Sequence, residues 1–305
     1  MTILFLVLGF AGLFFGGDWL VRGAAGIAGR VGISPLVIGL TVVGFGTSTP
    51  ELLVSVQAAL EGLSGVAIGN VVGSNLANIL LILGLSAVVA PLTPDHGELR
   101  RDLIVMTLAA LALPLIFLSG SVGLIEGLVL VGALAVYLWL CLRAPGPVAA
   151  ETELPHAPVW KSVGFALLGL VAVLVGARLL VDAAVEIARG LGVSEALIGL
   201  TIVAVGTSLP ELATSLMAAI RGQRDIAIGN VVGSNIFNIL GILGVTAIIA
   251  PIPVDARFLS VDAPVLIAIT LALVALVVFA GRIGRLSGIA MLAIYAIYIF
   301  ATRTL

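Results

Sequence analysis

The chain has 305 residues, of which 61% are hydrophobic and only 10% are charged, with a formal net charge of −2. A soluble domain usually carries about a quarter charged residues, so this composition excludes a water-soluble globular protein and indicates a surface that faces lipid. The single cysteine, Cys141, excludes an internal disulfide framework.

Apolar runs of about 20 residues, the length that crosses a bilayer, recur along the chain. They predict an all-α, polytopic membrane protein. In chain order, the ten predicted spans are about 2–29, 35–60, 66–90, 102–118, 122–142, 160–188, 195–220, 226–250, 261–280 and 286–303. The first run lacks a basic amino-terminal segment, so we interpret it as a span and not as a cleaved signal peptide.

The second half of the chain repeats the first at an offset of 160 residues. Residues 67–84 (AIGNVVGSNLANILLILG) return at 227–244 with 15 identities in 18 positions. Residues 32–59 match the residues 160 positions later at 16 of 28 positions. Identity of this extent, without gaps, indicates a duplicated unit.

Each copy holds five spans, and because five is odd the second copy must enter the membrane from the opposite side. We therefore predict two inverted five-helix repeats, 1–142 and 160–305, joined by the Pro- and Ala-rich linker 143–159. Inverted repeats are characteristic of secondary transporters, which hold their substrate near the membrane midplane between the two copies.

The distribution of basic residues predicts the orientation. With both termini outside, nine basic residues lie in cytoplasmic connections and three lie outside, as the positive-inside rule requires. The nine are Arg30, Arg100, Arg101, Arg143, Lys161, Arg221, Arg224, Arg282 and Arg285, and the three are Arg189, Arg257 and Arg303. We thus expect a multi-pass protein of the plasma membrane (the cell's inner membrane), with a cytoplasmic linker.

Two acidic residues fall in the middle of predicted spans, Glu51 in GFGTSTPELLVS and Glu211 in AVGTSLPELATS. An ionisable group at that depth is costly and marks a functional site by default. The glutamates are accompanied by hydroxyl groups on or beside the same helix face: Thr47, Ser48, Thr207 and Ser208. This combination of oxygens suggests a cation site.

A proline precedes each of these glutamates, at Pro50 and Pro210. Proline cannot donate a backbone hydrogen bond and clashes with the carbonyl four residues earlier, here that of Gly46 or Gly206. We expect each helix to break there and to free carbonyl oxygens that can coordinate a cation. A simple kink is the alternative.

The GNVVGSN segments add a polar stripe to one helix of each repeat. The stripes are Asn70, Ser74 and Asn78 in the first repeat, and Asn230, Ser234 and Asn238 in the second. From the residues alone, these groups either hydrogen-bond between helices or bind an ion. Carboxylate, hydroxyl, amide and carbonyl oxygens are the ligands that Ca2+ prefers.

With GTSTPE and GTSLPE, each followed by GNVVGSN, the sequence resembles the sodium/calcium exchangers of the cation/calcium antiporter superfamily over nearly its whole length. The resemblance is to the prokaryotic type, without a regulatory domain. It implies ten helices in the inverted layout and exchange of several Na+ for one Ca2+, with the first and sixth helices sliding. It implies no cofactor and no enzymatic reaction.

The same resemblance assigns the ion ligands. They fall on Thr47, Ser48, Glu51, Ser74, Asn78, Thr207, Ser208, Glu211 and Ser234, with coordinating backbone carbonyls at Gly44 and Ala204. The position of Asn238, which we include among the ligands, is Asp in many Na+-coupled members. The neutral amide leaves the site with a formal charge of −2 in place of −3, which bears on the counter-ion and the stoichiometry.

Three alternatives compete with Na+/Ca2+ exchange. The nearest is an H+/Ca2+ antiporter, because two carboxylates held close together can take up protons, although the matched hydroxyls favour Na+. A cation channel is less compatible with duplicated, broken helices. An enzyme would need a nucleophile or a catalytic metal triad beside the glutamates, and the motifs offer neither.

The predicted partners are the transported ions, Ca2+ and Na+ or H+, and the lipid bilayer. We predict no nucleic acid and no obligate protein partner.

Overall fold

A computed structural model of the protein describes residues 1–94, 96–143, 158–191 and 204–302. The described residues are almost entirely helical. The helices are α1 (Thr2–Val31), α2 (Pro35–Thr47), α3 (Thr49–Leu60), α4 (Ser64–Val89), α5 (His96–Phe117), α6 (Leu124–Arg143), α7 (Val159–Gly190), α8 (Ala204–Thr207), α9 (Leu209–Ile220), α10 (Arg224–Ile249), α11 (Phe258–Ala280) and α12 (Arg285–Thr302).

The predicted spans correspond to these helices. Seven of them are long and apolar enough to cross a membrane singly, and the bent pair α2–α3 makes an eighth. The helix α5 is the fourth predicted span, and α8–α9 is the described part of the seventh. The polytopic, all-helical prediction is confirmed, while the repeat boundaries 1–142, 143–159 and 160–305 remain predictions, since residues 144–157 lie outside the described part.

The predicted ends differ from the observed ones where charged residues extend a helix beyond its apolar run. The fourth span was predicted to begin at 102, whereas α5 begins at His96 because Arg100 and Arg101 continue the helix toward the membrane surface. Residues 195–203 of the seventh predicted span lie outside the described residues.

Short extended contacts join loops at the two ends of the helices. Strand β1 (Ser121–Val122) pairs antiparallel with β2 (Ile252–Pro253), and a single bridge joins Leu92 to Ile283. The sequence did not predict these contacts. Leu92 and Ile252 are 160 residues apart, so the two contacts are repeat equivalents, and each joins loops that the predicted topology places on one membrane face.

Glycines bring α1 and α7 into backbone contact. A Cβ atom added at Gly23 would lie 2.3 Å from the backbone nitrogen of Ala166, and one added at Gly169 would lie 2.3 Å from that of Leu20. Only glycine permits such an approach, which is how transmembrane helices gain packing energy where no hydrophobic effect drives them together. The first helices of the two repeats therefore form one tight pair.

Candidate cation-binding site

The second span of the first repeat breaks just before its glutamate. The axes of α2 and α3 differ by 45° across Ser48, and α9 likewise begins after Ser208. The break was predicted at Gly46 and lies two residues later. The reason is that Pro50 occupies the second position of the new helix, where a backbone N–H is not needed.

Each glutamate therefore sits in the first turn of a new helix. Glu51 and Glu211 are both 1% exposed, and the amino-terminal end of a helix favours negative charge. The Ser48 hydroxyl donates a 2.8 Å hydrogen bond to Glu211 Oε1, and Ser208 hydrogen-bonds Glu51 in the same way. Each broken helix thus supports the carboxylate of the other repeat.

Further hydroxyls surround the break in α2. The Ser48 hydroxyl lies 3.1 Å from Ser234 Oγ, and the Ser234 hydroxyl donates to the Gly44 carbonyl at 3.4 Å. The Thr47 hydroxyl approaches the same carbonyl at 3.3 Å and Asn230 Oδ1 at the same distance. Several predicted ligands from α2 and α10 therefore meet at one place.

Two of the asparagines whose role the sequence left open hold the glutamate helices to their neighbours. The Asn70 amide donates to the Glu51 backbone carbonyl at 2.9 Å and to Ser55 Oγ at 2.8 Å. Asn230 makes the two equivalent contacts in the second repeat, at 3.3 and 2.8 Å. These amides fix the backbone behind the carboxylates.

Four of the buried oxygens that have no hydrogen-bond partner among the described residues belong to predicted ion ligands. They are Glu51 Oε2, Glu211 Oε2, Asn78 Oδ1 and Asn238 Oδ1. Buried polar atoms are nearly always paired, because leaving one unsatisfied costs about 1–3 kcal/mol. The ion pairs of the described residues do not include either glutamate. These oxygens are therefore the candidate contacts for a cation.

Three further predicted ligands, Ser74, Thr207 and Ala204, lie on α4 and α8. Ser74 is 6% exposed on α4, and its hydroxyl has no described hydrogen bond to the glutamates. Thr207 ends α8 and is half-buried. Ala204 begins α8, and the residues before it lie outside the described part of the chain.

Two buried asparagines gain a role that the sequence did not assign. Asn75 and Asn235 accept hydrogen bonds from Asn238 and Asn78, each across the two repeats. The identical GSN triplets were the available signal, but repetition alone does not say which helix of the other copy an amide will face.

Comparison with known proteins agrees with this geometry. A sequence model of the sodium/calcium exchanger protein family matches residues 1–143 and 161–303. This chain belongs to the sodium/calcium exchanger family. It is accordingly a multi-pass membrane antiporter of the cation/Ca2+ type, and not an enzyme, as the sequence predicted.

The similarity to individual members of the sodium/calcium exchanger family extends over most of the chain. A solved structure of the sodium-calcium exchanger NCX_Mj superposes with a TM-score of 0.87 and 38% identity, covering 98% of this chain and 97% of the other. The sodium/calcium exchanger MaX1 of Methanosarcina acetivorans is 33% identical, covering 90% of each chain. The Ca(2+)/H(+) antiporter ChaA of Bacillus subtilis is 30% identical over 66% of this chain and 64% of its own.

Proposed function

We propose that the protein exchanges Na+ for Ca2+ by alternating access, and that both ions use one site between the two repeats. The proposed ligands are Glu51, Glu211, Thr47, Ser48, Thr207, Ser208, Ser74, Ser234, Asn78 and Asn238, with the carbonyls of Gly44 and Ala204. The observation that carries the proposal is the set of four buried, unpartnered oxygens on two carboxylates and two amides.

The charge of the site suits exchange. Two carboxylates bring −2, which one Ca2+ or two Na+ neutralise, so the two substrates exclude each other on electrostatic grounds. A third Na+ leaves an excess positive charge in a buried site, which is expensive unless backbone carbonyls disperse it. Ser, Asn and carbonyl oxygens extend the ligand set to the six to eight oxygens that Ca2+ takes.

The second candidate is exchange of H+ for Ca2+. The similarity to ChaA favours it. So does the pair of carboxylates, each of which is hydrogen-bonded by a serine of the other repeat. Protonation of two glutamates requires no additional ligands, however, whereas the cluster of Ser48, Ser234 and the Gly44 carbonyl offers neutral oxygens that suit Na+. We therefore place Na+ first.

We also propose that both termini face the outside of the plasma membrane and that the linker 143–159 is cytoplasmic. The support is the nine basic residues that this orientation places inside against three outside.

The experiment is Ca2+ uptake into proteoliposomes driven by an outward Na+ gradient, compared with an outward proton gradient at equal ionic strength. Uptake driven by Na+ and insensitive to a protonophore is the expected result. Uptake that follows the proton gradient alone would replace this proposal with the second candidate. A non-saturating Ca2+ flux that needs neither gradient would indicate a channel.

A further inference from the structure

Four buried asparagines pair across the two repeats in the middle of the molecule. The Asn238 Nδ2 group donates to Asn75 Oδ1 at 3.4 Å, and the Asn78 Nδ2 group donates to Asn235 Oδ1 at 3.2 Å. All four side chains are 1% exposed or less. In both pairs, the donor belongs to a proposed ligand and the acceptor to the asparagine three residues earlier in the other repeat.

An amide has one acceptor end and one donor end, and only the oxygen can bind a cation. When the donor end of Asn238 is held by Asn75, its oxygen is turned toward the remaining space, where it has no partner among the described residues. The same holds for Asn78 and Asn235. We propose that Asn75 and Asn235 are positioning residues that aim the ligand amides at the ion, an inference that rests on the proposed function.

The acceptor end of each positioning amide has the stronger partner, which supports this role. Asn75 Nδ2 has no hydrogen-bond partner among the described residues, and Asn235 Nδ2 has only the Met106 sulfur at 3.7 Å. A buried amide that merely joins two helices is expected to pair both ends. Here the acceptor end is paired, and that is the end that orients the ligand.

The test uses the symmetry of a carboxylate. Aspartate presents two equivalent oxygens, so Asn238→Asp makes the orientation of residue 238 irrelevant. Asn75→Leu, which keeps the volume and removes the acceptor, should weaken Ca2+ binding about tenfold in the natural background. In the Asn238→Asp background it should weaken binding about twofold or less. Equal losses in both backgrounds would show that Asn75 is only structural and would overturn the proposal.

The measurement is equilibrium Ca2+ binding to purified protein, with thermal stability as the folding control. If Asn75→Leu does not fold, Asn235→Leu with Asn78→Asp provides the mirror test. Binding is read without a counter-ion gradient, so a result against the positioning role is distinct from a failure of Na+ to drive transport.

A second inference rests on a different observation, an ion pair between the repeats. Arg221 Nε lies 2.6 Å from Asp18 Oδ1, while Arg22 Nη2 lies 2.9 Å from Asp18 Oδ2. The Asp18 side chain is only 7% exposed. This contact ties α1 of the first repeat to the end of α9 in the second.

The offset of 160 residues maps this trio onto a second one with every charge reversed. Asp18 corresponds to Arg178 and Arg221 to Glu61, while Asp182 takes the place of Arg22. The second repeat thus keeps opposite charges at the positions that would pair with each other. In the second trio Arg178 lies 4.0 Å from Asp182 but does not pair with Glu61. The Arg178 side chain is 86% exposed, and Glu61 accepts instead from Gln57 on its own helix, at 2.9 Å.

The packing of the helices shows the same asymmetry. Helix α1 packs along α9, whereas within the described residues α7 has no comparable contact with α3. In a transporter built from inverted repeats, exchanging the conformations of the copies generates the opposite-facing state. We infer that Arg178 pairs with Glu61 in that state while Asp18 separates from Arg221. The two ion pairs act as alternate latches that join the α1–α7 pair to α9 in one state and to α3 in the other.

The test is cysteine cross-linking in membranes, with Cys141→Ala as background. Arg178→Cys with Glu61→Cys should cross-link although the two residues are not paired in the structure, and Asp18→Asn should raise the rate of that cross-link several-fold. The control pair joins Glu186→Cys, exposed further along α7, to Glu61→Cys, and should not cross-link. Failure of positions 61 and 178 to cross-link, or no effect of Asp18→Asn, would overturn the inference whatever the counter-ion is.

Discussion

In the first repeat, α1 packs along α9 and the Asp18 side chain is 7% exposed, whereas the equivalent Arg178 of the second repeat is 86% exposed on α7. At the centre the repeats agree, because Asn70 and Asn230 make the same two hydrogen bonds to their glutamate helices. The duplicated sequence therefore has one structure around the two glutamates and two structures at its first helices. An alternating-access transporter needs this combination of a constant site and a movable scaffold.

The largest loss of transport is expected when one of the two buried carboxylates is removed. We expect Glu51→Gln or Glu211→Gln to reduce Ca2+ transport at least about 100-fold while the protein still folds. A single remaining charge leaves a divalent ion poorly neutralised in a low-dielectric site. Transport by reconstituted protein is the measurement. The matched control is Glu186→Gln, an exposed glutamate on α7, which should transport normally. Near-normal Ca2+ exchange by either site variant would refute the site.

A substitution in the glycine contact tests whether α1 and α7 form one unit. Gly23→Val should lower the free energy of unfolding in detergent by about 1–3 kcal/mol, and with it the melting temperature. The reason is that the valine side chain must displace the backbone at Ala166. A Cβ atom added at Gly132, on α6, would meet no other part of the described structure within 4 Å, so Gly132→Val should melt like the natural protein. Equal melting temperatures for the two variants would show that the close approach is not needed.

A third carboxylate, placed at residue 238, makes the contributions of the two repeats to the proposed site unequal. Asn238→Asp should change the Na+ dependence or the pH dependence of Ca2+ uptake, by about threefold to tenfold, more than it changes the preference for Ca2+ over other divalent ions. The added carboxylate repels the two glutamates and introduces a further titratable group. Uptake is to be measured against Na+ concentration and pH with the membrane potential clamped. Identical curves for both proteins would remove residue 238 from the ligand set.

The smallest effect is expected from labels that only report topology. A cysteine at Gln223, in the loop between α9 and α10, should react with a membrane-impermeant reagent only from the cytoplasm. A cysteine at Ala256, between β2 and α11, should react only from outside. Transport should be unchanged in both variants. The reverse labelling pattern would invert the orientation while leaving the relation between the repeats intact.

The sequence was sufficient for the parts that depend on composition and repetition. The apolar runs located the helices. Glu51 and Glu211 are buried as predicted, and they mark the candidate site because an ionisable group at that depth is costly. The sequence did not reveal which asparagines pair across the repeats, since Asn75 and Asn78 belong to the same motif and differ only in what they face. It also did not reveal that Asp18 binds Arg221. The i,i+4 spacing of Asp18 and Arg22 is visible in the sequence, but a contact between distant helices depends on how the repeats pack.

The central claim is that Na+ and Ca2+ compete for one site between Glu51 and Glu211. It is tested most directly by equilibrium binding of radioactive Ca2+ to the purified protein, titrated with NaCl or with N-methyl-D-glucamine chloride at matched ionic strength. We expect one Ca2+ to bind per chain, Na+ to displace it, the organic cation not to displace it, and Glu51→Gln to lose it. Ca2+ binding that Na+ does not displace beyond the effect of the organic cation would contradict the account.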